Sequence, residues 1–165
     1  MLKIFPVNEE AIPLVRDLTF RIWPQTYTGL LQEDQIEYMM DMMYSESSLQ
    51  KQMREGAQFI IVYEDQDPVG FASYQEMSPG LFKLHKIYIL PNQQGKGTGR
   101  YMIDYIIDDI KNKGATALQL QVNKKNKAKL FYEKLGFIAI EKKKLDIGAG
   151  YFMDDFIMEK SIGEK

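Results

Sequence analysis

The sequence predicts a single α+β domain in which a mixed, mostly antiparallel sheet carries helices on both faces. Three observations lead there. The chain has 165 residues, 45% hydrophobic and 27% charged, enough for one sizeable core and too short for a two-domain enzyme. Apolar residues recur at helical spacing in the first third, then switch to three successive extended runs. Helix and strand signals alternate afterwards, and no repeat, low-complexity tract or Pro/Gly/Ser-rich linker marks a second boundary.

From Glu10 to Trp23, the residues Ile12, Leu14, Val15, Leu18, Phe20 and Ile22 fit one helix. The Trp23-Pro24 pair closes it, because a residue before proline avoids helical backbone. A second helix runs from about Glu33 to Tyr44. Ser47 and Gln50 have capping-box spacing for a short third helix, through Leu49 and Met53 and ending near Gly56. Extended segments follow at Gln58 to Tyr63, Val69 to Met77 and Leu81 to Leu90. The turn-forming stretches between them, Asp65 to Pro68 and Ser78 to Gly80, are short enough for an antiparallel meander. A glycine-rich loop then enters a helix to about Lys113. A strand at Ala117 to Val122, a helix from about Asn126 to Leu135, and strands at Phe137 to Leu145 and Tyr151 to Glu159 complete the order.

Composition excludes several chemistries. Cysteine is absent, so disulfides, thiolate metal sites and cysteine nucleophiles are out, and any thiol chemistry must come from a ligand. His85 is the only histidine and has no carboxylate pair at ligand spacing, so no metal is expected. The start of the chain has no signal-like apolar stretch, and no run approaches the roughly 20 residues of a membrane helix. A soluble, cytoplasmic protein without a membrane partner is expected.

The net charge of −2 hides a strong asymmetry. Residues 1–95 sum to −6, residues 96–144 to +7 and residues 145–165 to −3. The central block therefore expects an anion. Within it, Gln94-Gly95-Lys96-Gly97-Thr98-Gly99-Arg100 joins a strand to the helical pattern of Tyr101, Met102, Ile103, Ile106 and Ile107. Glycines at every second position let backbone N–H groups approach a phosphate beside the positive end of a helix, and Lys96 and Arg100 add full charges. A P-loop does not fit, since Pro91 and Gly97 occupy required positions, and a dinucleotide fingerprint fails at Arg100.

What the loop does match is Gln/Arg-x-x-Gly-x-Gly, and here the chain resembles the GCN5-related N-acetyltransferase superfamily. Residues Val122 to Phe137, VNKKNKAKLFYEKLGF, are similar to that family's second signature, Asn-x-x-Ala-x-x-x-Tyr followed by Glu-Lys-x-Gly-Phe. Two motifs in the right order, about 30 residues apart, are hard to obtain by chance. The resemblance covers about Val69 to Lys160. Trp23 to Met53 and Lys83 to Ile89 look closest to bacterial polyamine-type acetyltransferases. The resemblance implies acceptor-side helices over about residues 10–56 and a cofactor-binding core over about 69–137, with a splay between two strands of the sheet.

It also implies acetyl-CoA as cosubstrate. Gln94, Gly95, Lys96, Gly97, Thr98, Gly99 and Arg100 would hold its pyrophosphate, and the main chain of Ile87, Tyr88 and Ile89 would pair with the pantetheine arm like an extra strand. Asn126 would bind the cosubstrate through its side chain, with helix capping as the plain alternative, and Asn123 would add a further contact. Tyr132 stands at the family's general-acid position, although a tyrosine near pKa 10 is a weaker acid than a thiol near 8.5. An alkylammonium near pKa 10.4 is neutral at pH 7.4 only about once in a thousand, a cost of roughly 4 kcal/mol, so a base is needed. His85 shares a strand face with Ile87 and Ile89 and is the first candidate, set against a structural role; Glu76 is the second.

Glu33, Asp34, Glu37 and Asp41, with the aromatic faces of Trp23 and Tyr27, suit a cationic acceptor, and a solvated helix face is the bland alternative. Met39, Met40, Met42 and Met43 fit a substrate wall, core, or a homodimer contact. The expected function is therefore N-acetyl transfer to a small polyamine-like amine. The rivals are a protein N-terminus or lysine as acceptor, and a non-catalytic acyl-CoA sensor. Nucleic-acid binding through Lys124, Lys125, Lys127, Lys129 and Lys142 to Lys144 is not expected, because no recognition motif accompanies them.

Overall fold

The structure, a computed structural model, describes residues 1–27, 29 and 31–163, with the side chains of Gln25, Thr26, Tyr27 and Met153 outside that description. In chain order the elements are β1 (Leu2–Val7), α1 (Ile12–Tyr27), α2 (Glu33–Tyr44), α3 (Glu46–Arg54), β2 (Gln58–Glu64), β3 (Asp67–Ser78), β4 (Leu81–Ile89), α4 (Thr98–Lys111), β5 (Ala117–Asn123), α5 (Ala128–Lys134), β6 (Ile138–Gly148) and β7 (Tyr151–Ser161). Short 3-10 turns at Glu9–Ala11 and Pro91–Gln93 precede α1 and α4. The α+β class and the mixed, mostly antiparallel sheet are as expected. Residues group into two compact units, Met1–Gln75 with Lys86–Ile106, and Glu76–His85 with Ile107–Lys165.

In the first unit β1 pairs antiparallel with β2 (Leu2↔Glu64 to Val7↔Phe59), and β2 with β3. Strand β2 is central, with Phe59, Ile60, Ile61 and Val62 all fully buried, which is why it reads as a continuous apolar run. Strand β1 has no counterpart among the expected elements. Its Pro6 lowers the strand signal, and proline is tolerated because β1 pairs on one side only, with β2.

Helix α1 continues past Trp23-Pro24 to Tyr27, so the expected stop there is wrong. Pro24 falls in the last turns, where few bonds are lost, and Trp23 is held as core, edge-on to Tyr44 at 5.3 Å. The cap of α3 also differs: Ser45, not Ser47, accepts the Ser48 N–H at 3.2 Å.

Gly70 marks the closest approach of β3 to β4 in this unit. A Cβ there would lie 2.6 Å from the Tyr88 carbonyl oxygen and 2.8 Å from Ile89 Cγ2. Backbone cannot yield as a flexible side chain can, so Gly70→Ala should cost about 2 kcal/mol or more through overpacking. Urea unfolding would read this as a lower midpoint at unchanged slope; an unaltered midpoint would contradict the close approach.

In the second unit β4 runs parallel to β5 over Leu81↔Ala117 to Leu84↔Leu120, and the pairing ends there. Strand β5 is antiparallel to β7, and β7 to β6. Alternation sets the two faces of this sheet. Phe82, Leu84, Leu118, Leu120, Val122 and Met158 are buried on one side. Lys83, His85, Gln119, Gln121 and Asn123 alternate with them and are half-buried.

Candidate active site

The first unit carries the glycine loop. Leu90 N–H donates to Val69 O at 2.8 Å, and Gln93 N–H to Leu90 O at 2.8 Å, which turns the chain from β4 toward α4. Gly95 and Gly97 have φ of 82° and 81°, in the left-handed region that other residues enter only at a cost. A Cβ at either would meet nothing within 4 Å, so the room beside the loop is open. Gln94, Gly95, Lys96 and Gly97 are exposed, and Gly97 O accepts the Tyr101 N–H at 3.0 Å as α4 begins. Exposed backbone, open space and a helix start fit a phosphate group.

Not every loop residue is available in the same way. Thr98 is buried, and its hydroxyl donates to Gln93 Oε1 at 3.2 Å, so only its main chain can face a ligand. Gln93 in turn donates to Glu64 Oε1 at 2.8 Å, and Lys96 Nζ lies 4.0 Å from that same oxygen. Gln93 and Glu64 therefore brace the loop from below. Sequence reasoning passed over both, because a glutamine beside the motif looks like ordinary loop polarity. Arg100 is exposed on α4.

Ile87, Tyr88 and Ile89 lie at the end of β4, and the Tyr88 ring packs 5.7 Å from Trp23 and 5.8 Å from Phe71. Tyr44 completes this ring cluster, and the buried Lys86 places Nζ 4.8 Å from the Tyr44 ring centre, a cation–π contact. Trp23 is 2% exposed, so it serves as core and offers no face to an acceptor. The aromatic face expected of Tyr27 lies outside the described residues. Glu33, Asp34, Glu37 and Asp41 are exposed along α2, while Met39 is buried and Met42 exposed.

The second unit carries the remaining candidates. Tyr132 is buried on α5, edge-on to Phe131 and Phe137 at 5.3 and 5.8 Å. Asn126 precedes Ala128 by two residues, one fewer than the family signature has, and its Oδ1 accepts the Ala128 N–H at 2.9 Å. Asn123 Oδ1 likewise accepts the Lys125 N–H at 2.9 Å. Both asparagines thus shape the entry to α5, the role foreseen as the plain alternative for Asn126. His85 is half-buried on β4. Glu76 Oε2 accepts the Gly80 N–H at 3.1 Å and so caps the β3–β4 turn, which disfavours it as a base.

A polar row crosses the same sheet face. Lys83 Nζ donates to Gln121 Oε1 at 2.7 Å, and Gln121 Nε2 lies 3.5 Å from Asp155 Oδ2. Asp155 is 3% exposed, and its Oδ1 has no hydrogen-bond partner among the described residues. Burial, helped by the charge of Asp154 and opposed by Lys83, pushes its carboxyl up to about 6. Burial and the charge of Lys143 push Lys83 down, against the pull of Asp155. These groups escaped sequence reasoning because Asp154-Asp155 resembles any exposed strand pair. Among the described residues, no group of three or more His, Cys, Asp or Glu is placed to hold a metal ion, and no helix is long and apolar enough to cross a membrane.

An α+β sheet whose fourth strand feeds a glycine loop and a helix start is an arrangement that suits a phosphate-bearing ligand. Residues 28–152 match the acetyltransferase (GNAT) domain, and the chain belongs to that family. It is 36% identical over 81 residues to the [ribosomal protein bS18]-alanine N-acetyltransferase of Haemophilus influenzae. That match spans 49% of this chain and about half, 55%, of the relative. Among solved structures, the PaiA N-acetyltransferase of Thermoplasma acidophilum in complex with coenzyme A superposes with a TM-score of 0.82 at 23% identity, over 98% of this chain and 99% of that one. The ribosomal-protein-S18-alanine N-acetyltransferase of Escherichia coli gives 0.75 at 20% identity, over 100% and 96%.

Proposed function

We propose that residues 1–165 work as one N-acetyltransferase domain that moves an acetyl group from acetyl-CoA to a primary amine in the cytoplasm. The observation that carries this reading is the loop of Gln94 to Gly99: two left-handed glycines, open space beside them, and a helix N-terminus immediately after. Its main chain and the Lys96 and Arg100 charges would hold the pyrophosphate. The backbone of Ile87, Tyr88 and Ile89 would orient the arm, with the free amides of Asn123 and Asn126 as further contacts. Bound acetyl-CoA supplies an acyl group already activated as a thioester. Tyr132 would hydrogen-bond or protonate the departing thiolate sulfur, and His85 would take the proton from the acceptor's ammonium.

For the acceptor we favour a small polyamine-like amine. Glu33, Glu37 and Asp41 recur at four-residue spacing on α2, a helix with no basic residue, so like charges repel there unless a cation arrives. A polypeptide amine is the second reading, favoured by the 36% identity to an enzyme named for ribosomal protein bS18. An acetyl-CoA consumption assay across polyamines, amino acids, aminoglycosides and peptides decides between them. Release of thiol with none of these amines would leave the non-catalytic acyl-CoA sensor as the better account. In the same assay, a His85→Ala enzyme should lose the rising limb of the pH–rate profile, and an unchanged profile would exclude His85 as the base.

A further inference from the structure

Three side chains of the first unit tie the two ends of the glycine loop together. Glu64, the last residue of β2, accepts from Gln93 Nε2 at 2.8 Å, and Gln93 Oε1 accepts from the Thr98 hydroxyl at 3.2 Å. Gln93 closes the 3-10 turn and Thr98 opens α4, so the Gln93–Thr98 bond clasps the base of the four exposed residues between them, Gln94 to Gly97. A carboxylate only accepts, so Glu64 draws the amide N–H of Gln93 to itself and leaves the carbonyl for Thr98. Gln93 and Thr98 are 4% and 1% exposed, so water cannot readily replace either bond.

The clasp matters because the loop above it is built from residues with much freedom to lose. Gly95 and Gly97 both sit at positive φ, and ordering two such glycines around a ligand is costly. A bond that already joins the ends of the loop removes part of that cost before the ligand arrives. Glu64 has a second effect. Its Oε1 lies 4.0 Å from Lys96 Nζ, so the carboxylate and an incoming phosphate compete for one ammonium. Lys96 is 55% and Glu64 38% exposed, so solvent screening keeps this competition to a few fold in affinity.

We propose that Gln93 is the positioning residue that presets this loop for a pyrophosphate, and that Glu64, which orients Gln93, holds the resulting affinity down by competing for Lys96. This rests on the acetyl-CoA reading of the loop. Acetyl-CoA and CoA carry the same pyrophosphate, so the effect should fall on KM and Kd more than on the single-turnover rate at saturation. Calorimetric titration of the full chain at low salt, with CoA and with dephospho-CoA, which keeps the pyrophosphate, tests it beside a thermal melt. Thr98→Val trades the hydroxyl for a methyl and should weaken both ligands about fivefold, with Thr98→Ser restoring them. Gln93→Met keeps the side chain's length, loses both bonds and should weaken them about tenfold, which keeps the clasp testable if Thr98→Val fails to fold. Glu64→Gln still accepts from Gln93 but carries no charge, so it should tighten both ligands about threefold, and the gain should vanish in a Lys96→Met background. Unchanged affinity in folded Thr98→Val or Gln93→Met, or a Glu64→Gln gain that is absent or survives in Lys96→Met, would overturn the proposal and leave the acetyl-CoA reading standing. A wild-type chain that binds neither ligand would overturn both.

Discussion

Replacing Tyr132 with phenylalanine is expected to lower turnover about 100-fold while the dissociation constant for CoA stays within about twofold. The split follows from where the residue sits. Its ring is buried against Phe131 and Phe137, and phenylalanine keeps both edge contacts, so α5 and the start of β6 should be undisturbed. Only the hydroxyl is lost, and the proposed mechanism uses it when the thiolate departs. Tyr132→Ala would remove packing as well and confuse the two effects. Single-turnover acetylation and CoA titration, run beside a thermal melt, separate the roles. Unchanged turnover in the phenylalanine variant would make Tyr132 a packing residue and leave the leaving group to solvent.

The second large effect concerns stability. In the folded chain the Asp155 carboxyl titrates at about 6, above the ordinary carboxylate value of 3.8. The native state therefore holds this proton more tightly than the unfolded chain, and between about pH 4 and pH 6 stability falls as pH rises. Above pH 6 the full penalty applies; below pH 4 none does. The displacement is worth at most about 3 kcal/mol, and about 1–2 kcal/mol once the Lys83 counter-charge and solvent screening are allowed for. Asp155→Asn should accordingly melt roughly 2–8 °C higher at pH 7.5, with the difference vanishing toward pH 4. Parallel melting curves for the two proteins across that range would show that Asp155 carries no such penalty.

Much of the site was legible locally. The glycine loop announces itself because left-handed backbone and an unblocked approach leave a composition signature, and the order strand, loop, helix needs only neighbouring residues. Gln93 and Glu64 were not legible. They are 29 residues apart, and their bond forms only when β2 and the turn after β4 come together. Asp155 is the sharper case. Nothing in Met153-Asp154-Asp155-Phe156 distinguishes one aspartate from the next, yet β7 pairs Asp155 with Asn123 on one side and Lys143 on the other, and it is buried while Asp154 stays half-exposed.

The same division holds for the fold. Periodicity and turn residues determined the class, the meander, and the helix–strand alternation of the second half, because each depends on hydrophobic spacing within one segment. The register of β4 on β5, the run of α1 through Pro24, and the recruitment of Leu2–Val7 as a strand were decided by tertiary structure. In each of these the local preference is weak or adverse, and contacts with residues far along the chain outweigh it. Charge shows both levels at once: the block of residues 96–144 with its net +7 is a property of the sequence. That Lys129 of α5 and Lys142 of β6 meet over the Phe156 ring is decided by tertiary structure, because they come from different elements.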